Sequence, residues 1–129
     1  MSERTRPDLE QLARRVFAAY PAGDRDTLEE ILADDFHFTS PYDDAIDRAE
    51  YFRRCWPNHD QMRTMHIHRV MVQDETVVVT YELVTKDNRH IHNAEVLTFR
   101  AGKLVNVFVH FGAARDATGG FLPMQRPAA

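Results

Sequence analysis

The spacing of apolar residues changes near the middle of the chain, from the period of helices to that of strands. In the first half, apolar residues recur every three or four positions, and in the second half they alternate with polar ones. This change predicts helices at about 8–20, 24–33 and from Asp47 to Pro57, a short strand at 36–40, and strands at 62–73, 76–86, 90–101 and 103–111. Pro21 and Gly23 are predicted to stop the first helix.

The last four predicted strands are joined by very short connections, Asp74-Glu75, Asp87-Asn88 and Ala101-Gly102. Connections of two residues require antiparallel neighbours, because a parallel pair needs a long crossover. Helices first and an antiparallel sheet afterwards define an α+β fold. We therefore expect three N-terminal helices packed on a strongly curved, mainly antiparallel sheet, forming a cone with an internal cavity. Concave apolar cavities of this kind bind small molecules.

Composition excludes several classes of protein. The 129 residues suffice for a single domain, 1–129, with a core at about 8–112 and a loose Gly/Pro-rich tail at 113–129. A formal charge of -4 without a basic stripe argues against nucleic acid as a partner, and no apolar run is long enough for a membrane span. The charged start MSERTRPDLEQ lacks a signal peptide, and one cysteine, Cys55, suits a cytoplasmic location. No phosphate-binding glycine loop is present, so we expect no nucleotide or other cofactor.

Two segments carry a family resemblance. AAYPAGDRDTLEEILADDFHFTSP resembles the N-terminal signature of the nuclear transport factor 2-like superfamily, and RHIHNAEVLTFRAGKLVNVFVHFG resembles its closing hairpin. Because SPYDDAIDRAEYFRRCWPN is also familiar there, the chain is most similar to SnoaL-like proteins. The resemblance covers nearly all of residues 8–112 and implies the cone fold. It leaves the activity open, since this fold hosts isomerases, cyclases, dehydratases, epoxide hydrolases and proteins without catalysis.

Ketosteroid isomerase, another member of that superfamily, provides a test by position. Its general base falls on Ser40 of this chain, its oxyanion-hole tyrosine on Val16, and its protonated aspartate on Glu95. A serine without a partner base cannot abstract a proton from carbon. The resemblance therefore does not extend to ketosteroid isomerase activity.

Glu95 is the most informative single residue, because it interrupts an otherwise apolar strand. The resemblance places it toward the cavity, where loss of water would raise the pKa of its carboxyl and make it a general acid or base. The alternatives are a pairing of Glu95 with a nearby Arg or His, or a register that turns Glu95 to solvent.

Histidines occur in two alternating pairs, His66 with His68 and His90 with His92. His66 or His68 is a candidate catalytic imidazole, together with Glu95 or Asp43. Two such pairs on neighbouring strands also suggest a zinc or iron site. If Glu95 faces inward, however, His90 and His92 face outward, so we expect no metal.

The remaining candidates would contact a ligand. Tyr42 follows the first short strand and is expected near the cavity mouth, with Asp43 holding a base or a substrate hydroxyl; alternatively, Tyr42, Asp43 and Asp44 form an ordinary turn. Large apolar side chains are expected to line the cavity or to belong to the core. The expected ligand-binding residues are Phe38, Tyr42, Tyr51, Trp56, Tyr81, Leu97 and Phe111.

These features predict a domain that binds a small apolar molecule and acts as a cofactor-free isomerase, cyclase or dehydratase. The alternative is a non-catalytic binding or interaction domain. Asn106, Phe108 and His110 share the strand face opposite Val107 and Val109. An exposed Phe108 would be unfavourable in water, so we expect a homodimer through the outer sheet face.

Overall fold

The structure is a computed structural model that describes residues 8–122. Helix α1 spans Leu9–Ala22, and the Asp8 side chain caps it by accepting a hydrogen bond from the Gln11 amide at 3.1 Å. Pro21 lies inside the last turn of α1 and does not stop it. The helix ends at Gly23, whose φ of 66° is left-handed and whose amide bonds back to the Ala19 and Tyr20 carbonyls.

Helix α2 and strand β1 follow one another without a loop. Helix α2 spans Arg25–Ile31 and is capped by Asp24, which accepts from the Thr27 amide at 3.2 Å. Strand β1 spans Leu32–Ser40 and thus begins four residues before the predicted strand at 36–40. The predicted end of the second helix at 33 is corrected accordingly.

Strand β2, Asp43–Asp47, occupies a segment that was expected to be a turn. It pairs antiparallel with β1, with Phe38 opposite Ile46. Its sequence is short and polar, so it lacks the alternation that reveals a strand. Helix α3 spans Arg48–Arg54 and is opened by Asp47, which accepts from the Glu50 amide at 2.9 Å, as predicted. A 3₁₀ helix, Trp56–Gln61, then takes the place of the predicted end of α3.

Four long strands complete the sheet: β3 Met62–Gln73, β4 Thr76–Thr85, β5 His90–Arg100 and β6 Lys103–Arg115. The strand order is β2-β1-β6-β5-β4-β3. All neighbours are antiparallel except β1 and β6, which run parallel. The three short connections are tight hairpins, and Asp74, Asn88 and Ala101 in them have left-handed φ angles.

The helices pack against one face of the curved sheet, which confirms the α+β cone fold. We call this the inner face and the opposite one the outer face. Side chains of α1, α2, α3 and the inner face form one apolar core. Its most deeply buried large members are Phe36, Phe99, Leu28, Leu97, Leu104, Val77 and Val79.

The C-terminal segment is more ordered than expected, up to the last described residue. Strand β6 continues to Arg115, and residues 116–122 turn back so that the Leu122 amide bonds to the Ala114 carbonyl at 2.7 Å. The prediction of a loose tail at 113–129 is therefore corrected for 113–122, while 123–129 lie outside the described residues. Within residues 8–122, no helix is long and apolar enough to cross a membrane.

Candidate functional site

A cavity of about 890 Å³ lies between the helices and the inner face of the sheet. Most of its wall is apolar and aromatic, and polar groups are few. The polar side chains lie in three places: on β5, around the turn from β1 into β2, and at the end of the cavity beside the β4–β5 turn. The polar lining residues in these three places are Asn93 and Glu95, then Ser40, Tyr42, Asp43 and Cys55, and finally Asn58, Gln61, Thr85 and Arg89.

Glu95 points into this cavity from the middle of β5. Its neighbours in register are Val79 on β4 and Val109 on β6, both buried. The Tyr81 hydroxyl donates a hydrogen bond to Glu95 Oε2 at 2.5 Å. The carboxyl therefore neither pairs with a cation nor faces bulk solvent, the two alternatives left open by the sequence.

The apolar surroundings change the protonation of Glu95. Burial disfavours the charged carboxylate and raises its pKa to about 7, and the hydrogen bond from Tyr81 opposes this rise only in part. Burial, followed by the charge of Glu95, raises the pKa of Tyr81 far above its ordinary value. Tyr81 therefore remains a donor, while Glu95 exchanges its proton near neutral pH.

Tyr81 is itself held by a short hydrogen-bonded chain. Asn93 Nδ2 donates to the Tyr81 hydroxyl at 3.3 Å, and the Gly112 amide donates to Asn93 Oδ1 at 3.3 Å. A Cβ atom on Gly112 would lie 2.4 Å from the His92 carbonyl oxygen. Because β5 and β6 approach each other so closely here, only glycine fits at position 112. The ring of Tyr81 packs edge-on against Phe17 with centroids 4.8 Å apart. These contacts fix the position of the donor to Glu95.

Tyr51 of α3 is the second tyrosine near the carboxyl. Its ring is buried against Phe36 and Phe38, with both centroid distances at 5.1 Å. Burial, and after it the charge of Glu95, raises the pKa of Tyr51 well above its ordinary value. Tyr51 therefore keeps its proton and lines the cavity as a neutral hydroxyl.

A second polar cluster lies where β1 turns into β2. Asp43 accepts from Ser40 Oγ at 2.9 Å and forms an ion pair with Arg54 Nη2 at 2.8 Å, although its side chain is only 8% exposed. Cys55 Sγ lies 3.8 Å from the same carboxylate. Burial and the charge of Asp43 raise the pKa of Cys55 to about 12, so its thiol stays protonated and is a poor nucleophile.

His66 and His68 do not line the cavity. His66 lies opposite Glu82 on the outer face, and a bulge between Ile67 and Arg69 also turns His68 outward. His68 stacks on His92 with centroids 5.6 Å apart. The prediction that His66 or His68 acts as a catalytic imidazole beside Glu95 or Asp43 is therefore wrong, because both side chains lie on the outer face.

His90 and His92 face outward, as their alternation with Glu95 predicts. His90 Nδ1 lies 3.4 Å and His92 Nε2 3.2 Å from Glu82 Oε2. Across the described part of the chain, no three His, Cys, Asp or Glu side chains come together in a way that would hold a metal ion.

The expected ligand-binding residues divide into two groups. Phe38, Tyr42, Tyr51, Tyr81 and Phe111 line the cavity. Trp56 and Leu97 do not, and these two placements are corrected. Trp56 packs against Tyr20 and His59 beside the helices, and Leu97 lies fully buried beneath the wall.

Sequence reasoning missed three lining residues that matter for the chemistry. Asn93 shares the face of Glu95 by simple alternation, so that signal was present in the sequence. Arg89 and Phe121 reach the cavity only because the turn before β5 and the segment after β6 fold back over it.

Comparison with known proteins identifies the family and agrees with the fold. Residues 13–107 match the model of the SnoaL-like domain family, and the chain therefore belongs to that family. No protein of curated function matches the chain significantly.

Solved structures show the same fold at low sequence identity. A protein from Kribbella flavida DSM 17836 is 22% identical, with a TM-score of 0.70 over 79% of this chain and 84% of its own. A candidate SnoaL-like polyketide cyclase from Jannaschia sp. CCS1 is 15% identical, with a TM-score of 0.69 over 86% and 91%. IdmH, a candidate polyketide cyclase from Streptomyces antibioticus, is 14% identical, with a TM-score of 0.68 over 81% and 91%.

Proposed function

We propose that this protein is a cofactor-independent acid–base catalyst, an isomerase, cyclase or dehydratase, that acts on a small and largely apolar carbonyl compound. The observation that carries this proposal is the Glu95 carboxyl in an apolar cavity, with a pKa of about 7 and a fixed donor in Tyr81. A group that is half ionised near neutral pH is well suited to accept and return protons. Membership of a family with candidate cyclases among its structural neighbours supports the same class.

The proposed reaction begins with the ionised form of Glu95. The carboxylate removes a proton from the carbon next to the substrate carbonyl, and the electrons of that C–H bond move onto the carbonyl oxygen to form an enolate. The Tyr51 hydroxyl donates a hydrogen bond to this oxygen. In an isomerisation, Glu95 then returns the proton to a second carbon of the conjugated enolate. In a cyclisation, the enolate carbon forms a bond to a second carbonyl carbon of the same molecule, the electrons of that C=O bond move onto its oxygen, and Glu95 gives the proton to this oxygen.

Tyr81 and Asp43 have supporting roles in this scheme. Tyr81 donates its single proton to Glu95, so it positions the base and does not polarise the substrate. Asp43, which is paired with Arg54 and accepts a hydrogen bond from Ser40, orients a substrate hydroxyl at the turn from β1 into β2.

The second candidate function is ligand binding without turnover. Two features favour it: Val16, with no hydrogen-bonding group on its side chain, lines the cavity, and Asp43 is already in an ion pair with Arg54 and accepts a hydrogen bond from Ser40. A binding protein needs the apolar cavity but not a titrating Glu95.

The test is proton exchange on a simple ketone. We expect the protein to accelerate deuterium uptake at the α-carbons of 2-tetralone in D₂O, followed by NMR, with an apparent pKa near 7. Glu95→Gln should lower the catalysed rate about 100-fold or more. Glu82→Gln, which changes a carboxylate on the outer face, is the matched control and should leave the rate unchanged. Equal rates for wild type and Glu95→Gln would refute catalysis, and thermal stabilisation by the ketone without exchange would favour the binding protein.

We further propose a homodimer through the outer face. In register across four strands, Met71, Val78, Val96 and Phe108 form an apolar row on this face. Its two ends, Met71 and Phe108, are 50% and 45% exposed. A second copy would cover this row with the same row, as a two-fold interface requires.

A further inference from the structure

The end of the cavity beside the β4–β5 turn differs from the rest of its wall. Arg89 lines the cavity there, next to Thr85 and the exposed residues Asn58 and Gln61. Thr85 is buried and fixes the backbone of Arg89, since its amide donates to the Arg89 carbonyl at 3.0 Å and its hydroxyl accepts from the Arg89 amide at 2.9 Å. One end of the cavity therefore carries the guanidinium of Arg89, whose backbone is held in place by Thr85.

Arg89 is the one cationic side chain among the described residues that line the cavity. Its Nε lies 3.2 Å from Asp87 Oδ2, but the Asp87 side chain is 67% exposed, so solvent screens this pair. Within residues 8–122, the two terminal nitrogens of Arg89 donate no hydrogen bond. These two nitrogens are therefore available to donate a bidentate pair of hydrogen bonds to a carboxylate ligand.

Arg89 and Glu95 are separated along one strand face. They are six residues apart on β5 and its preceding turn, which corresponds to about 20 Å between their Cα atoms in extended chain. Ile91 lies between them on the same side, and Leu83 lies opposite it on β4; both line the cavity. Asn93 also lies on this side, next to Glu95, and its amide is already bonded to Tyr81 and Gly112. The wall therefore runs from a cation past Ile91, Leu83 and this bonded amide to a carboxyl that titrates near neutral pH.

We infer that the cavity binds an elongated organic carboxylate whose acid group lies on Arg89 and whose apolar body extends toward Glu95. For a substrate, this means a keto acid with its reacting carbonyl remote from its carboxylate. Only that last step rests on the proposed function, because carboxylate binding at Arg89 requires no chemistry at Glu95.

The experiment is calorimetric binding of three probes with one alkyl chain and different head groups: decanoate, 1-decanol and decyltrimethylammonium. We expect decanoate to bind wild type about 10-fold or more tightly than decanol, as a charge-assisted pair at a partly buried site provides. The cationic probe should bind more weakly than decanol. Arg89→Gln should abolish the preference for decanoate while leaving decanol binding unchanged, and Arg89→Lys should retain part of it.

Two controls separate this inference from other effects. Arg69→Gln removes an exposed arginine that does not line the cavity, and it should keep the full preference; thermal melts establish that each variant is folded. Equal binding of decanoate and decanol to wild type, or an unchanged preference in folded Arg89→Gln, would overturn the inference. Glu95→Gln should still prefer decanoate, so a failure of ketone exchange and a failure of carboxylate binding are distinguishable.

Discussion

The surroundings of the Glu95 side chain set its pKa. A glutamate in water titrates near pH 4.5, whereas here burial between Val79 and Val109 brings the pKa to about 7. Tyr81 stabilises the charged form by its hydrogen bond, but a single neutral donor does not replace the lost water. The pKa of the carboxyl is therefore close to neutral pH, which suits a general acid or base.

The free energy of unfolding should report this shift directly. Because folding raises the pKa of Glu95, the stability that this group contributes is fully present below about pH 4.5 and is lost as the pH rises through 7. The loss from this group amounts to about 3 kcal/mol. Glu95→Gln should remove that part of the pH dependence in urea unfolding at pH 5 and pH 8, whereas Glu82→Gln should preserve it. The same slope in wild type and Glu95→Gln would show that Glu95 titrates normally.

Tyr81→Phe tests the hydrogen bond separately. Without the donor, the charged carboxylate is less favoured, so the pKa of Glu95 should rise above 7. The side-chain ¹³C shifts of labelled glutamate, followed by NMR titration, measure it. Tyr20→Phe also removes a hydroxyl from a cavity-lining ring, but one that does not bond Glu95, and it should leave the pKa unchanged. A lower pKa in Tyr81→Phe would contradict the proposed contact.

Strand β5 supplies the cavity carboxyl, because its residues alternate strictly between two environments. Ile91, Asn93 and Glu95 face the cavity, while His90 and His92 meet Glu82 on the outer face. Strand β3 breaks this rule at its bulge, so its histidines could not be placed by alternation alone.

The segment after β6 is a small structural unit that forms part of the cavity rim. Asp116 accepts hydrogen bonds from the Thr118 and Gly120 amides and from the Thr118 hydroxyl, and Arg115 stacks over the Phe121 ring at 3.8 Å. These contacts hold Phe121 and Leu122 against the mouth of the cavity.

Asp116→Ala should release this unit while the sheet stays intact. Loss of three hydrogen bonds to one carboxylate should speed amide exchange at Gly120 and Leu122 by about 10-fold or more, as seen by hydrogen–deuterium exchange. Amides in the centre of β5 should not change. Asp44→Ala, at an exposed aspartate of β2, is the control. Unchanged protection of Leu122 in Asp116→Ala would mean that the segment is held by other contacts.

In the whole molecule, the two faces of the sheet differ in what covers them. The inner face is covered by helices yet leaves a cavity, because a strongly curved sheet and three short helices do not fill the space between them. The outer face carries the apolar row from Met71 to Phe108, for which we proposed a second copy as the partner.

Light scattering after size exclusion tests this assembly. Wild type should elute at twice the chain mass of 15.0 kDa, and Phe108→Glu, which places a charge in the apolar row, should elute as a monomer. Phe121→Glu changes another exposed phenylalanine away from this face and should remain dimeric. A monomeric wild type at micromolar concentration would refute the dimer.

Several local features of the fold could be predicted from short stretches of the chain. The start of the third helix at Asp47, the three hairpin turns and the alternation along β5 depend on residues close together in the chain, and the structure confirms them. The inward direction of Glu95 was also expected, through the family resemblance, and its cavity is present.

The other features could not be predicted, because they depend on contacts between residues far apart in the chain. The parallel pairing of β1 with β6, the polar strand β2 and the return of residues 116–122 have no local signature. The pKa of Glu95 likewise depends on how completely distant strands and helices exclude water from it. Alternation along a strand predicts which side chains share a face, but the packing of distant elements determines whether that face is inward and what its side chains contact there.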